Sequence, residues 1–256
     1  MARLDPGAVE AFERDARRMY FSKDTVGRFL EGATPTQLAA VRGLLRSELA
    51  AREESKRRRL LRKARFPVVK SFSDFDYANV AFPEGYGKDA LESMGFLDLA
   101  QDFVFYGKSG RGKTHLAIAL GMRCVEMGRE ARFFSTAALV RQLSGAHEKG
   151  TLDAMLADIG RADLVILDEF GYIPLDIDGA RLLFQVMALC YEKRSMVITT
   201  NIEFGKWGSV FADAKLAGAA VDRIFHHGRL VEFNGPSRRM DDALMLGKGE
   251  EACDGR

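Results

Sequence analysis

Apolar positions fall into two rhythms along this chain, and the change between them marks its organisation. In the first part, spacings of three and four dominate. Val9, Phe12, Ala16, Met19 and Tyr20 fall near one helical face, and Leu38, Val41, Leu44, Leu45 and Leu49 repeat the pattern further on. Thr34-Pro35 supplies an N-cap and first turn for the second of these helices, and Pro67 ends it. Later, short apolar runs alternate with helical stretches. Residues 103–106 (FVFY), 131–134, 163–168 (DLVILD), 196–200 (MVITT) and 229–233 read as five strands. A helical stretch follows the first strand, two (136–147 and 151–159) separate the second from the third, and another covers 178–193. This alternation predicts an α/β fold, a parallel five-stranded sheet with helices on both faces, preceded by a small α-helical domain. The expected boundaries are a helical domain over 1–66, a linker over 67–87, the α/β domain over 88–246 and a disordered tail over 247–256. The linker is expected from its Pro/Gly-punctuated, aromatic composition. The 23 residues after Phe233 are too few for a further helical domain, so no C-terminal lid is expected.

Between the first strand and its helix lies GKSGRGKT, Gly107, Lys108, Ser109, Gly110, Arg111, Gly112, Lys113 and Thr114, with His115 opening the helix behind it. The spacing is G-x-x-x-x-G-K-T, a phosphate-binding loop. Glycines let successive backbone N–H groups wrap an anion, and the helix behind directs its positive end at it. Lys113 can reach the β- and γ-phosphates, and the Thr114 hydroxyl can ligate Mg²⁺. A Gly-rich turn that binds nothing is the bland alternative, and the strand before and helix after argue against it. The reading is therefore ATP or GTP with Mg²⁺.

Two further signals lie at strand ends, where open α/β sheets place ligands. Asp168 and Glu169 end LVILDE. Asp168 can hold the Mg²⁺ shell, and Glu169 is placed to polarise a water for attack on the γ-phosphate. Asn201, closing VITTN, could contact the γ-phosphate or orient that water. An Asn at a strand end is also an ordinary turn former.

Composition changes the picture in one place. The net charge of +2 is unremarkable, and an apolar fraction of 47% is ordinary for a globular chain of 256 residues. Between positions 52 and 65, however, eight basic residues (Arg52, Lys56, Arg57, Arg58, Arg59, Arg62, Lys63, Arg65) stand against Glu53 and Glu54. A solvated helix end is the bland reading, and contact with a polyanion explains the block better. No run is long enough to span a membrane, and the N-terminus lacks the apolar stretch of a signal peptide. Cys124, Cys190 and Cys253 form no C-x-x-C, so a reducing cytoplasm is expected. His226 and His227 have no Cys, Asp or third His at ligand spacing and read as packing or interface residues.

The phosphate loop together with LDEFGYIPLD, YEKRSMVITTN, WGSVFADAKLAGAAVDRIFHHG and GPSRR resembles the IstB-type transposition helper ATPases. These belong to the AAA+ class of P-loop NTPases, in the branch shared with DnaC-type helicase loaders and the DnaA initiator. The likeness covers residues 71–246. It implies Walker A over Gly107 to Thr114, Walker B at Asp168-Glu169, sensor 1 at Asn201 and an arginine finger at Arg223 that completes a neighbour's ATP site. It also implies a sensor-2 arginine at Arg239 or Arg238, and an extra helix facing DNA between the second and third strands. Lys108 and Arg111 stand where the family commonly has Pro and Thr, both at variable positions, and Glu169 replaces a frequent second Asp. The function so implied is an ATPase that assembles as a homo-oligomer on duplex DNA and recruits or activates a transposase. The alternatives are a DnaC-like helicase loader acting on single strands, an assembly switch with negligible hydrolysis, and a small-molecule P-loop kinase. Asp168-Glu169 with Asn201 argues against the kinase.

Overall fold

The structure, a computed structural model, describes residues 4–211 and 214–237. The chain divides into two compact units, Met1–Arg59 and Leu60–Arg256.

In the first unit, helix α1 (Pro6–Arg18) is capped by Asp5, whose Oδ2 accepts the Ala8 N–H at 2.9 Å, with Pro6 in the first turn. Helix α2 (Lys23–Gly32) is capped by Ser22. Helix α3 (Pro35–Ala64) opens on a reciprocal cap, in which Thr34 N–H donates to Gln37 Oε1 at 2.9 Å and Gln37 N–H to Thr34 Oγ1 at 3.3 Å. Phe12, Ala16, Val26, Leu38 and Leu45 form this unit's core. Two of the expected apolar positions turn outward. Tyr20 lies past the end of α1 with φ 62, and Leu44, between Val41 and Leu45, points away from the face they share.

The second unit takes the last turns of α3 from Leu60 onward, then β1 (Val80–Ala81), α4 (Lys88–Glu92), β2 (Asp102–Tyr106), α5 (Lys113–Glu126), β3 (Ala131–Ser135), α6 (Thr136–Glu148) and α7 (Leu152–Ile159). It continues with β4 (Leu164–Phe170), α8 (Ile177–Cys190), β5 (Ser195–Thr200), α9 (Ala214–His227) and β6 (Gly228–Phe233). Among the described residues the sheet has six strands, not five, in the order β1-β6-β2-β5-β4-β3. Five are parallel, and β1 pairs antiparallel with β6, Val80 opposite Phe233.

Successive strand residues feed two cores. Phe103, Phe105, Leu164, Ile166 and Val197 face Leu116 and Leu120 of α5 and Leu60 and Ala64 of α3. Val104, Val165, Leu167, Met196 and Ile198 face Leu139 of α6, Leu183 and Val186 of α8, and Ile224 of α9. Burial on both faces is why these strands read as unbroken apolar runs.

The stretch 67–87 is no linker. Phe75 is buried, and Phe72, Tyr77, Val80, Phe82 and Tyr86 pack on the α5 side of the sheet. Phe75 sets its ring edge-on to Phe233 at 6.3 Å, and Phe233 lies 5.2 Å from Phe105. Contact density divides the chain between Arg59 and Leu60, within α3, because the helix beyond that point already packs in the second unit's core. Lys63 is part of that packing, with Nζ 2.6 Å from Glu130 and 3.1 Å from Asp158, the latter also bound by Arg132 and Arg161. No helix among the described residues is long and apolar enough to cross a membrane.

Candidate functional site

The carboxyl ends of β2, β4 and β5 are neighbours in the sheet, and the loops leaving them build one cavity of about 490 Å³. Ser109, Gly110, Arg111, Gly112, Lys113, Thr114 and His115 line one side of it. The loop needs its glycines for two distinct reasons. Gly107 has φ 152, and a Cβ there would lie 2.4 Å from the Phe233 carbonyl oxygen. Gly112 caps α5 at φ 92 with the Phe75 ring 2.8 Å from where a Cβ would sit. The Lys113 ammonium is drawn in under the loop, donating to the carbonyls of Gly107 at 2.7 Å and Lys108 at 2.8 Å. These bonds brace the loop, and they place the cation beneath the N-terminus of α5, where an anion is favoured. Arg111 donates from Nη1 to the Phe233 carbonyl at 3.0 Å.

Thr114 Oγ1 donates to Asp168 Oδ1 at 2.8 Å. A hydroxyl that lines the cavity and a buried carboxylate oxygen behind it thus meet, the hard oxygen donor set that suits Mg²⁺. The strand end carrying Asp168 is irregular. Leu167 pairs with Ile198 but Phe170 with Thr200, so β4 carries one more residue than β5 across this interval. Glu169 sits inside this bulge at φ 57. A bulge re-aims side chains that regular alternation would send to opposite faces. Here Asp168 is buried beside Thr114, while Glu169 is exposed and still lines the cavity.

Three threonines frame the bulge. Thr136 Oγ1 donates to the Asp168 carbonyl at 2.9 Å, and Thr200 Oγ1 to the Phe170 carbonyl at 2.8 Å. Thr199 Oγ1 donates to Asp168 Oδ1 and accepts the Glu169 N–H at 3.0 Å. Sequence reasoning passed over Thr199, because a threonine inside a strand is an ordinary β-former.

The opposite wall comes from the stretch expected to be a linker. Val68, Lys70 and Asp74 line the cavity, and His115 Nε2 lies 3.1 Å from the Ser71 carbonyl oxygen. Hydrogen bonds from Ser71 and Ser73 hold the Asp74 carboxyl below its ordinary range. Tyr172, two residues past the bulge, completes the rim.

The family described as IstB-like ATP binding protein matches residues 31–244. The chain belongs to that family. The IstB-like chain is 35% identical over 198 residues to the protein named for ATP binding in insertion sequence IS232 of Bacillus thuringiensis subsp. berliner, spanning 76% of this chain and 78% of that one. It is 34% identical over 190 residues to the corresponding IS21 protein of Pseudomonas aeruginosa, spanning 73% of this chain and 71% of the relative. Among solved structures, the DnaC helicase loader matches with TM-score 0.50 at 23% identity, over 57% of this chain and 85% of that one. DnaI matches with TM-score 0.51 at 18% identity, over 66% of this chain and 90% of that one. At these identities the two structures bear on the fold alone, a mostly parallel α/β sheet with helices on both faces.

Two further site residues expected in the IstB-like chain, Asn201 and Arg223, are not among the residues lining the cavity. Asn201 is exposed one residue past β5, and the cavity wall there is Thr199. Arg223 lies on α9, half-buried, with its guanidinium 4.4 Å from the Phe184 ring centroid and 5.8 Å from that of Tyr191. Arg238 and Arg239 lie outside the described residues. In the basic segment, Arg52 pairs with Glu48 at 2.7 Å, and Arg57 and Arg58 share Glu54. Lys56 and Arg59 are exposed, and no carboxylate among the described residues pairs with them at salt-bridge distance.

Proposed function

We propose that this protein is an ATP-hydrolysing, DNA-binding member of the IstB-like family that assembles on duplex DNA and recruits or activates the transposase of an insertion sequence. The observation that carries the reading is the contact of Thr114, which lines a glycine-rich, Lys113-bearing cavity, with Asp168 behind it. It joins the two motifs that Mg²⁺-dependent phosphoryl transfer requires. ATP would lie in the glycine cradle, and Mg²⁺, where bound, would supply neutralisation of the developing phosphate charge. Thr114 and Asp168 would hold the ion, and Lys113 would bind the phosphates. Glu169, exposed at the bulge, would take the proton of the attacking water, and Asn201 is assigned as a polar contact, which requires it to turn toward the cavity. Arg223 is assigned to a neighbouring subunit's site, which requires it to leave the Phe184 face. Arg239 or Arg238 is assigned as a further phosphate contact.

Insertion-sequence relatives support a transposase as partner, while the helicase-loader alternative has fold likeness behind it and no more. Duplex DNA is assigned to the exposed basic face of α3 carrying Arg52, Lys56 and Arg59. Each phosphate neutralised on duplex DNA contributes about 0.9 to the dependence of log affinity on log salt. Replacing Arg52, Lys56 and Arg59 together by Ala should therefore lower that slope by about 2–3 and weaken binding evenly across sequences. DNA-stimulated ATP hydrolysis should fall in parallel. Unchanged duplex affinity and slope in the triple variant, or a wild-type preference for single strands, would refute the assignment.

A further inference from the structure

His226 and His227 end helix α9, and the fold brings them the third ligand that their sequence neighbours lack. Glu192 stands in the turn between α8 and β5 in the left-handed region, φ 57, and its Oε1 lies 2.8 Å from His227 Nε2. One donor atom from each of Glu192, His226 and His227 falls within 4.8 Å of the other two. We propose that these three side chains form a binding site for a single divalent transition-metal ion of borderline softness, zinc above all.

The chemistry of the set selects the ion. Two imidazoles and one carboxylate suit zinc and its neighbours, whereas Mg²⁺ and Ca²⁺ take oxygen ligands. Bonds of about 2.0–2.2 Å in a tetrahedral arrangement put donor atoms about 3.3 Å apart. The present spacing brackets that value, so side-chain rotation is enough to close the site. A metal-bound histidine generally engages its other ring nitrogen with a second partner. The Tyr191 hydroxyl, 3.2 Å from His226 Nδ1, is that partner when Nε2 binds the ion. Arg223 opposes a cation here, its guanidinium standing 5.8 Å from the Tyr191 ring, and the carboxylates of Glu192 and Asp222, which both act on Tyr191, offset it.

The site is separate from the nucleotide cavity. Glu192 precedes β5, which starts at Ser195, and His227 directly precedes β6, which starts at Gly228. Both therefore lie at the amino ends of parallel strands, whereas the cavity lies at the carboxyl ends. A bound ion fastens the end of α9 to the α8–β5 turn. Three protein ligands also leave a position for water or an external donor, as in zinc sites that are not closed.

The test is a cobalt titration of untagged, chelator-treated full-length protein, followed by visible absorption and by displacement with zinc. One equivalent of Co²⁺ should bind with ligand-field bands and no thiolate charge-transfer band, since none of the three proposed ligands is a cysteine. Removing a side chain that only orients a metal ligand typically costs 10- to 100-fold in metal affinity. Loss of a ligand should cost more, so Glu192→Gln and His227→Ala should each weaken cobalt binding by at least about 100-fold. Glu192→Gln keeps an acceptor for His227, so an unchanged melting temperature with lost cobalt binding identifies ligation rather than folding. Wild type that takes up no stoichiometric cobalt, or variants that bind it as wild type does, would overturn the proposal.

Discussion

Thr199→Val is the most informative change at the nucleotide site, because valine keeps the shape of threonine and removes only the hydroxyl. That hydroxyl is buried and makes two contacts, donating to the Asp168 carboxylate and accepting the Glu169 N–H. A hydrogen bond to a charged group contributes about 1.5–3 kcal/mol, and a buried N–H left without a partner costs about 1–3 kcal/mol. The two losses overlap, since the backbone can relax, so a stability loss of about 2–4 kcal/mol is expected.

The rate should respond separately from stability. With its N–H released, Glu169 can leave the left-handed region, and the carboxylate of Asp168 loses one of two donors to Oδ1. If the lost bond to Asp168 is felt in full in the transition state, about 1.5–3 kcal/mol corresponds to roughly 10- to 150-fold in rate. The assay is single-turnover ATP hydrolysis at saturating duplex DNA, with ATP affinity and Mg²⁺ dependence measured alongside. Thr199→Val should bind ATP within a fewfold of wild type, require more Mg²⁺ and hydrolyse slowly, while Thr199→Ser restores the rate. A Thr199→Val protein that melts earlier yet hydrolyses within twofold of wild type, at the same Mg²⁺ requirement, would show that the hydroxyl only supports the strand.

Lys113→Ala should abolish binding of a fluorescent ATP analogue, whereas Glu169→Gln should keep binding and stall hydrolysis. Equal ATP affinity for wild type and Lys113→Ala would remove the basis of the proposed function. At Asp158, burial pushes the carboxyl up, but hydrogen bonds from Arg132, Lys63 and Arg161 outweigh it and hold the group well below the usual range. A depressed pKa contributes stability that is present above the unfolded value near 4 and is lost as pH falls through the folded one. Asp158→Asn should therefore cost about 1–3 kcal/mol at pH 7 by denaturant unfolding, and the difference from wild type should shrink below about pH 4.

The phosphate loop was legible because its chemistry is local. A glycine at 107, where a side chain would strike the Phe233 carbonyl, and a lysine and threonine at the mouth of a helix all fall within one stretch of eight residues. The strands were legible because both faces of the sheet are covered, which turns them into apolar runs. Strand β1 was not, since two residues carry no periodicity. The 67–87 wall was misread because Ser, Pro and Gly punctuate it, although its aromatic residues, Phe72, Phe75 and Tyr77 among them, were the stronger signal. A true linker has no use for rings that pack against a β-strand. Glu192 could not be read as a partner of His227, 35 positions away, before the α8–β5 turn was known to meet the end of α9.

The irregular end of β4 has a physical logic of its own. In a regular strand Asp168 and Glu169 would project from opposite faces, and with Asp168 against Thr114, Glu169 would point into the helices packed on the other side. Only a bulge lets Asp168 stay buried against Thr114, a cavity residue, while Glu169 lines the cavity itself. For a residue with a Cβ, the left-handed backbone this requires costs about 1–2 kcal/mol. The hydroxyls of Thr136, Thr199 and Thr200 each bond to the bulged segment, and at about 0.5–1.5 kcal/mol per bond they are sufficient together to offset that cost. All three donors come from β5 or from the start of α6, not from β4. The geometry of Asp168 and Glu169 is therefore a property of the assembled sheet. A fragment containing β4 without β5 would carry the acidic motif intact in sequence and lack the arrangement that makes it useful.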